Sequence, residues 1–306
     1  MSPHFSVVIP VYNRAAMLRE AIASVLAQTD QDFEIVVVDD GSRDDPECVV
    51  KEFADPRIVF LREENRGGGA ARNTGIDRAH GRYIAFLDSD DHYLPHHLAT
   101  MRKLLADNPD GAGYARIIVD RGGGKTFLKP PRALARGEDM AEYLLCDRGF
   151  IPTSTMVVEA ELARAVRFHE DLPPAEDTDF AIRIALLGRH FAMAEEPGVV
   201  WRDVADPNRL SAGRRGASLR RWIDALRPRI SEKAYFGCLG WAYAKYVELD
   251  SRWRALGLYL SALRHGCYRP QLAIVVFLQI FLTDSAYRAL ADSAIARLGA
   301  GLRRPR

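Results

Sequence analysis

The chain has 306 residues, 48% of them hydrophobic, enough to bury one large core or two smaller ones. Its 42 basic and 41 acidic residues leave a formal net charge of +1, which argues against a dedicated nucleic-acid binder. The four cysteines, Cys48, Cys146, Cys238 and Cys267, are widely spaced with no Cys-x-x-Cys. They suggest neither a zinc ribbon nor a disulfide framework, and are expected as buried thiols in a reducing, cytoplasmic compartment.

No signal peptide is expected ahead of the first strand, Ser6-Val-Val-Ile-Pro10, and Pro10 with Asn13 marks the turn after it. Leu18, Ile22, Val25 and Leu26 recur at helical spacing and predict a helix over 15–27. A second apolar strand over 35–38 runs into Asp39-Asp40-Gly41-Ser42, where Ser42 or Asp44 is expected to cap the helix carrying Val49, Val50 and Phe53. A third strand covers 58–61. This repeated strand–turn–helix order predicts a mostly parallel sheet with helices on its faces. Next comes Asn65-Arg-Gly67-Gly68-Gly69-Ala-Ala-Arg72-Asn73-Thr-Gly75. Glycines opening a helix suit a backbone that comes close to a ligand, with free N–H groups for an anion. The stretch is neither a Walker loop nor a clean Gly-x-Gly-x-x-Gly.

Tyr83-Ile-Ala-Phe-Leu-Asp88-Ser89-Asp90-Asp91 is the most informative stretch. Five apolar residues of a buried strand end in three carboxylates within four positions, at the sheet edge where open α/β folds bind ligands. At about 4 Å and an effective dielectric near 20, each carboxylate pair repels by on the order of 4 kcal/mol before screening. A hard divalent cation that also takes substrate phosphates reverses that sign. A solvated acidic turn is the blander alternative.

Leu98, Met101, Leu104 and Leu105 mark a further helix, and 113–119 a strand. The segment 121–137, with Gly122-Gly-Gly-Lys125 and Pro130-Pro131, reads as an exposed, mobile connection. A strand over 155–158 and a short helix over 159–166 follow. Pro173-Pro174-Ala-Glu176-Asp177 then leads into a helix with Phe180, Ile184 and Leu187 on one face. Glu176 and Asp177 fall in its first turn, where the helix dipole favours acids in any case. The last strand is placed at 199–202. Beyond about 206 the stripes Trp222 and Leu226, then Leu239, Tyr243 and Tyr246, then Trp253, Leu256 and Leu260 are helical throughout. The domain reading is therefore 1–205 and 206–306. The apolar run 272–282, broken by Gln279, would span about 17 Å as a helix, too short for a hydrocarbon core of roughly 30 Å.

Taken together, Pro10-Val11-Tyr12-Asn13-Arg14, Asp39-Asp40-Gly-Ser42, the 65–75 stretch, Asp88-Ser89-Asp90-Asp91 and Glu176-Asp177 resemble glycosyltransferase family 2, over about residues 5–205. The resemblance implies a GT-A fold, Rossmann-like, and an inverting, metal-dependent transferase acting on a nucleoside-diphosphate sugar. By the same resemblance, Pro10, Val11, Tyr12, Asn13 and Asp40 border the nucleobase and ribose, with Asp40 accepting from a base N–H. Gly67 and Arg72 would pass over the nucleotide. Asp90 would be the direct ligand of Mn²⁺ or Mg²⁺, with Asp88 on the ribose or a metal-bound water, Ser89 beside the donor, and Asp91 behind the ligands. Asp177 matches the general base, and Glu176 a contact to acceptor or donor sugar.

Two departures qualify this. Many relatives carry a histidine after the last strand that helps bind metal or diphosphate, where Trp201-Arg202-Asp203 offers Arg202 or Asp203 instead. Processive members carry Gln-x-x-Arg-Trp and membrane spans; this chain has Ser218-Leu-Arg-Arg221-Trp222 and none, so one sugar per event is expected. UDP is the expected donor carrier because it is the commonest in the family. The expected acceptor is a glycan or lipid-linked saccharide in cell-surface polysaccharide assembly. Arg264, Arg269, Arg288, Arg297, Arg303 and Arg304 flank the 272–282 run, so residues 264–306 would either dock on the inner face of the cell membrane or pack as buried helices or a homodimer contact. The competing readings are a sugar nucleotidyltransferase, which normally has a glycine-rich, basic loop after its first strand, and a non-catalytic sugar-nucleotide scaffold.

Overall fold

The computed structural model describes residues 2–108, 110–122, 124–172, 175–203, 216–283 and 285–290. The Pro173-Pro174 lead-in, the boundary near 206, and Arg297, Arg303 and Arg304 lie outside the described residues. The chain divides into two compact units, one over Met1–Leu144 and Arg148–Gly213, the other over Leu145–Asp147 and Arg214–Arg306.

In the first unit, β1 (Phe5–Val11), β2 (Phe33–Asp39), β3 (Ile58–Arg62) and β4 (Tyr83–Phe86) alternate with helices α1 (Ala15–Leu26), α2 (Pro46–Phe53) and α3 (Gly68–Arg78). After β5 (His92–Tyr93) and α4 (His97–Ala106) come β6 (Ala112–Asp120), β7 (Thr126–Lys129), α5 (Met140–Cys146), β8 (Met156–Glu159), α6 (Ala160–Val166), α7 (Glu176–Ala185) and β9 (Phe191–Arg202). The sheet order is β3-β2-β1-β4-β8-β6-β9-β5, with β7 paired to β6. The block β3-β2-β1-β4 is parallel, and β8 runs antiparallel to both β4 and β6. Parallel strands end at one edge, so the turns after β1, β2 and β4 collect there.

Helices cover both faces. Val7 and Ile9 share a core with Leu18 and Ile22 of α1 and Leu98 and Met101 of α4. On the opposite face α3 lies directly on β1, because a Cβ at Gly75 would meet Val8 Cγ1 at 2.3 Å.

Several expectations are corrected. Neither Ser42 nor Asp44 caps α2; Asp45 does, accepting from Cys48 N, with Pro46 pre-set for the first helical position. Ser42 instead accepts from Asn13 N, and Asp44 from Ala15 N at the start of α1. The 121–137 segment is not all open connection: Thr126–Lys129 adds β7 to β6, with Phe127 against the core. Leu187 lies beyond the end of α7 and is exposed, and Cys48 is exposed on α2. β9 starts at Phe191, well before the expected 199.

In the second unit every described element is helical: the end of α5, α8 (Gly216–Leu226), α9 (Glu232–Cys238), a π-turn over Leu239–Tyr243 into α10 (Ala244–Glu248), α11 (Arg252–Arg264) and α12 (Pro270–Phe281). Ser231 and Ser251 cap α9 and α11 with their hydroxyls. The Cys146 and Cys267 thiols both donate to Lys233 O. Trp222 is buried on α8 and packs that helix, whereas Arg221 beside it is exposed. The stripe Trp253, Leu256, Leu260 is not a buried face: Ala255, Tyr259 and Ala262 point inward instead. Among the described residues no helix is long and apolar enough to cross a membrane.

Candidate active site

The turns at the strand ends are stitched to one another. Asn13, with φ of 52°, donates its N–H to Ser42 Oγ at 2.8 Å and accepts from Arg43 N at 2.8 Å. Val11 is a core residue whose carbonyl accepts from Asp40 N at 2.9 Å, while Tyr12 is exposed beside it. The buried Asp40 carboxylate accepts from Arg66 N at 2.7 Å and Gly67 N at 2.9 Å, so it fastens the glycine stretch to the end of β2. Burial raises its pKa above the ordinary carboxylate range.

At the acid turn, Asp88 N donates to Ser154 Oγ at 3.1 Å, and that hydroxyl donates to Asp91 Oδ2 at 2.6 Å. Burial, with the charges of Asp90 and Asp88 adding to it, pushes Asp91 well above the usual carboxylate range. Ser89 is buried. Asp90 is ion-paired with Arg14 of the first turn. Asp88 is paired at 2.6 Å with Arg72, whose other nitrogen binds Glu176 at the start of α7. Burial of Arg72 disfavours its charge, but the two carboxylates beside it outweigh this and raise its pKa. A Cβ at Gly68 would come within 3.2 Å of Arg72 Nη1 and 3.5 Å of Glu176 Oε1, so glycine there leaves room for the bridge. Arg72 thus ties the glycine stretch, the acid turn and the α7 terminus together.

Asp177, next in the first turn of α7, accepts from Thr178 N at 2.6 Å. Its pKa is pushed up to about 6, chiefly by burial, with the Glu176 charge adding and Thr178 and Arg72 opposing. Part of its surface remains open to solvent. Such a carboxyl is poised near neutral pH for proton transfer. Arg202 donates its backbone N–H to Asp91 Oδ1 at 3.4 Å, but its guanidinium is paired with Glu20 of α1. Asp203 accepts from Arg121 Nε at 3.2 Å.

Asp88 and Asp90 offer hard oxygen donors that suit Mg²⁺ or Mn²⁺ held by one or two carboxylates together with substrate phosphates. Among the described residues no group of three or more His, Cys, Asp or Glu side chains forms a protein-only cage. The residues present fit the shared kind of site. Sequence reasoning missed Ser154, which holds both Asp88 and Asp91; the polar run Thr153-Ser-Thr155 before β8 was the available signal. It also gave Arg14 no role.

Comparison with known proteins places this site in context. The model described as Glycosyl transferase family 2 matches residues 6–159, and Glycosyl transferase family group 2 matches 83–288. The amylovoran biosynthesis glycosyltransferase AmsB of Erwinia amylovora is 32% identical over 262 residues, covering 81% of this chain and 86% of that one. An uncharacterized glycosyltransferase of Rickettsia prowazekii, RP339, is 45% identical over 186 residues, 58% of this chain and 57% of that protein. A relative from Rickettsia felis is longer still, this chain spanning 31% of its length. Among solved structures, S. aureus TarS 1–349 superposes with a TM-score of 0.65 at 20% identity, covering 98% of this chain and 92% of that one; TarS 1–349 has also been solved with UDP-GlcNAc. The mannosyltransferase PcManGT from Pyrobaculum calidifontis, in complex with GDP-Man and Mn²⁺, reaches 0.58 at 22% identity, over 97% of this chain and 81% of that one. At these identities the superpositions carry the fold.

Proposed function

The chain belongs to glycosyltransferase family 2, and from that premise we propose that it is an inverting enzyme moving one sugar from a nucleoside-diphosphate sugar to a hydroxyl of a glycan or lipid-linked saccharide. The observation that carries the reading is Asp177: a carboxyl with a pKa near 6 whose neighbour Glu176 is joined through Arg72 to the acid turn. Family 2 membership with AmsB as a relative supports a place in exopolysaccharide assembly, and TarS with UDP-GlcNAc supports UDP as the carrier. PcManGT with GDP-Man and Mn²⁺ supports a divalent cation. The proposed catalytic unit is 1–205, with 206–306 as a helical region.

In this reading Asp177 takes the proton from an acceptor hydroxyl while that oxygen attacks the anomeric carbon opposite the diphosphate. The new carbon–oxygen bond forms as the bond to the diphosphate breaks, and the nucleoside diphosphate leaves. The transition state is oxocarbenium-like, as in glycoside hydrolysis. Asp90 and Asp88 would hold the cation, which when bound would neutralise charge on the departing diphosphate. In the same reading the turns carrying Pro10–Asn13 and Asp40 frame the nucleoside, the stretch from Gly67 to Arg72 passes over the nucleotide, and Glu176 contacts a sugar. The test is transfer by Asp177→Asn, with the product anomer read by NMR. Full activity, or retention of donor configuration, would overturn the assignment.

A further inference from the structure

Seven of the eleven exposed large apolar side chains among the described residues belong to the smaller, helical unit. On α11, Ala255, Tyr259 and Ala262 pack inward, while Trp253 at 79% exposure and Leu260 at 43% share the opposite face with Arg264. α12 is apolar at every position except Gln271 and Gln279; a helix apolar all round is normally buried, yet only Leu272, Val276 and Ile280 of this one are fully buried. Ile274 at 63% and Phe277 at 41% are left outside. The two helices are neighbours: Tyr259 Oη donates to Ala273 O at 3.0 Å, and its ring lies 5.6 Å from Phe277. Both packed helices therefore leave large apolar side chains in solvent.

Charge selects the occupant. From residue 251 to 283 the chain carries four arginines, Arg252, Arg254, Arg264 and Arg269, and no Asp, Glu or Lys. All four are exposed; Arg252 is paired with Glu248 at 2.9 Å and Arg269 with Asp147 at 3.7 Å, so the positive charge of the face rests on Arg254 and Arg264. A second copy docking about a two-fold axis would bring these like charges together. An anionic bilayer takes both the apolar stripe and the arginines.

We propose that α11 and α12 form a face that docks on an anionic lipid bilayer, with Trp253, Leu260, Ile274 and Phe277 entering the interface and Arg254 and Arg264 meeting lipid headgroups. This adds a lipid partner to the function proposed above and does not depend on the donor chemistry. It also centres the contact upstream of the 264–306 tail expected from the sequence, since Trp253 and Leu260 precede it.

The test is co-sedimentation of the full chain with vesicles of phosphatidylcholine alone and of phosphatidylcholine with phosphatidylglycerol. The expected result is binding to the anionic vesicles, weakened by salt and at least about tenfold weaker on the neutral ones. Trp253→Ser with Phe277→Ser, and separately Arg254→Glu with Arg264→Glu, should each lower anionic binding by about tenfold or more. No binding by the wild type, or equal binding to both lipids at all salt concentrations, would overturn the proposal without any variant. So would a dimer by light scattering that Trp253→Ser dissociates, with no vesicle binding. A chain that binds anionic vesicles but takes up no nucleotide would remove the donor site and leave this face standing.

Discussion

The guanidinium of Arg14, in the turn after β1, is ion-paired with the carboxylate of Asp90, 76 residues further on in the turn after β4. The same carboxylate is the proposed cation ligand, so an internal positive charge and a metal ion compete for one acid. Arg14→Ala should let the nucleotide-free protein bind Mn²⁺ more tightly by about fivefold, the modest gain expected for a partly exposed pair. Titration followed by the paramagnetic signal of free Mn²⁺ reads this directly. Unchanged or weaker Mn²⁺ binding would place the cation elsewhere.

Arg72 is buried between Asp88 and Glu176. Arg72→Ala leaves both carboxylates without their shared partner; because they keep some solvent contact, the expected loss is about 2–3 kcal/mol, below that for a fully buried pair. Arg72→Lys keeps the charge but not the fork that reaches two acids, and should lie between. Urea denaturation measures both.

Asp177 links activity to pH and to stability with opposite signs. Its folded-state pKa of about 6 is above the ordinary value, so the base is available only as pH rises through about 6, and transfer should climb there and level off. The same raised pKa means that the folded protein pays to ionise it, a penalty absent below the ordinary carboxylate range and complete above about pH 6. Asp177→Asn should therefore cut transfer by about 10²-fold or more while raising the melting temperature at pH 8 and not at pH 4. A flat pH–rate profile between 5 and 8 would contradict this.

Gly75 packs α3 against Val8 with no space for a methyl group. Gly75→Ala gains about 1 kcal/mol of helix propensity but should lose about 1–3 kcal/mol to overpacking of the α3–β1 contact. Overpacking is expected to win, lowering the melting temperature.

The fold was legible where local signals agree. The apolar runs that became β1, β2 and β4 each end in turn residues, and the helical spacing of Leu18, Ile22 and Val25 matches their burial on α1. β7 was hidden because Thr126–Lys129 is short, sits among glycines and prolines, and gains its order from pairing with β6. The α2 cap was misplaced because Ser42, Asp44 and Asp45 are all competent, and which one caps is settled by tertiary partners such as Asn13 and Ala15. The stripe of Trp253 and Leu260 has the right period for a core face, but periodicity gives a face and not its neighbour, and the small residues Ala255 and Ala262 packed instead. At the site, the acids and glycines were visible as motifs. The Arg14–Asp90 and Arg72–Glu176 pairs were not, because each joins residues that only the folded sheet edge brings together.

A donor site at that edge, assembled around Asp90, is open to calorimetric titration of UDP, GDP and dTDP, each with and without Mn²⁺, on the wild type and Asp90→Ala. The expected result is that one nucleotide, UDP, binds in a metal-dependent way and that Asp90→Ala abolishes the metal dependence. Binding that ignores both metal and substitution would contradict the role given to Asp90, and no binding of any nucleotide would contradict the donor site itself.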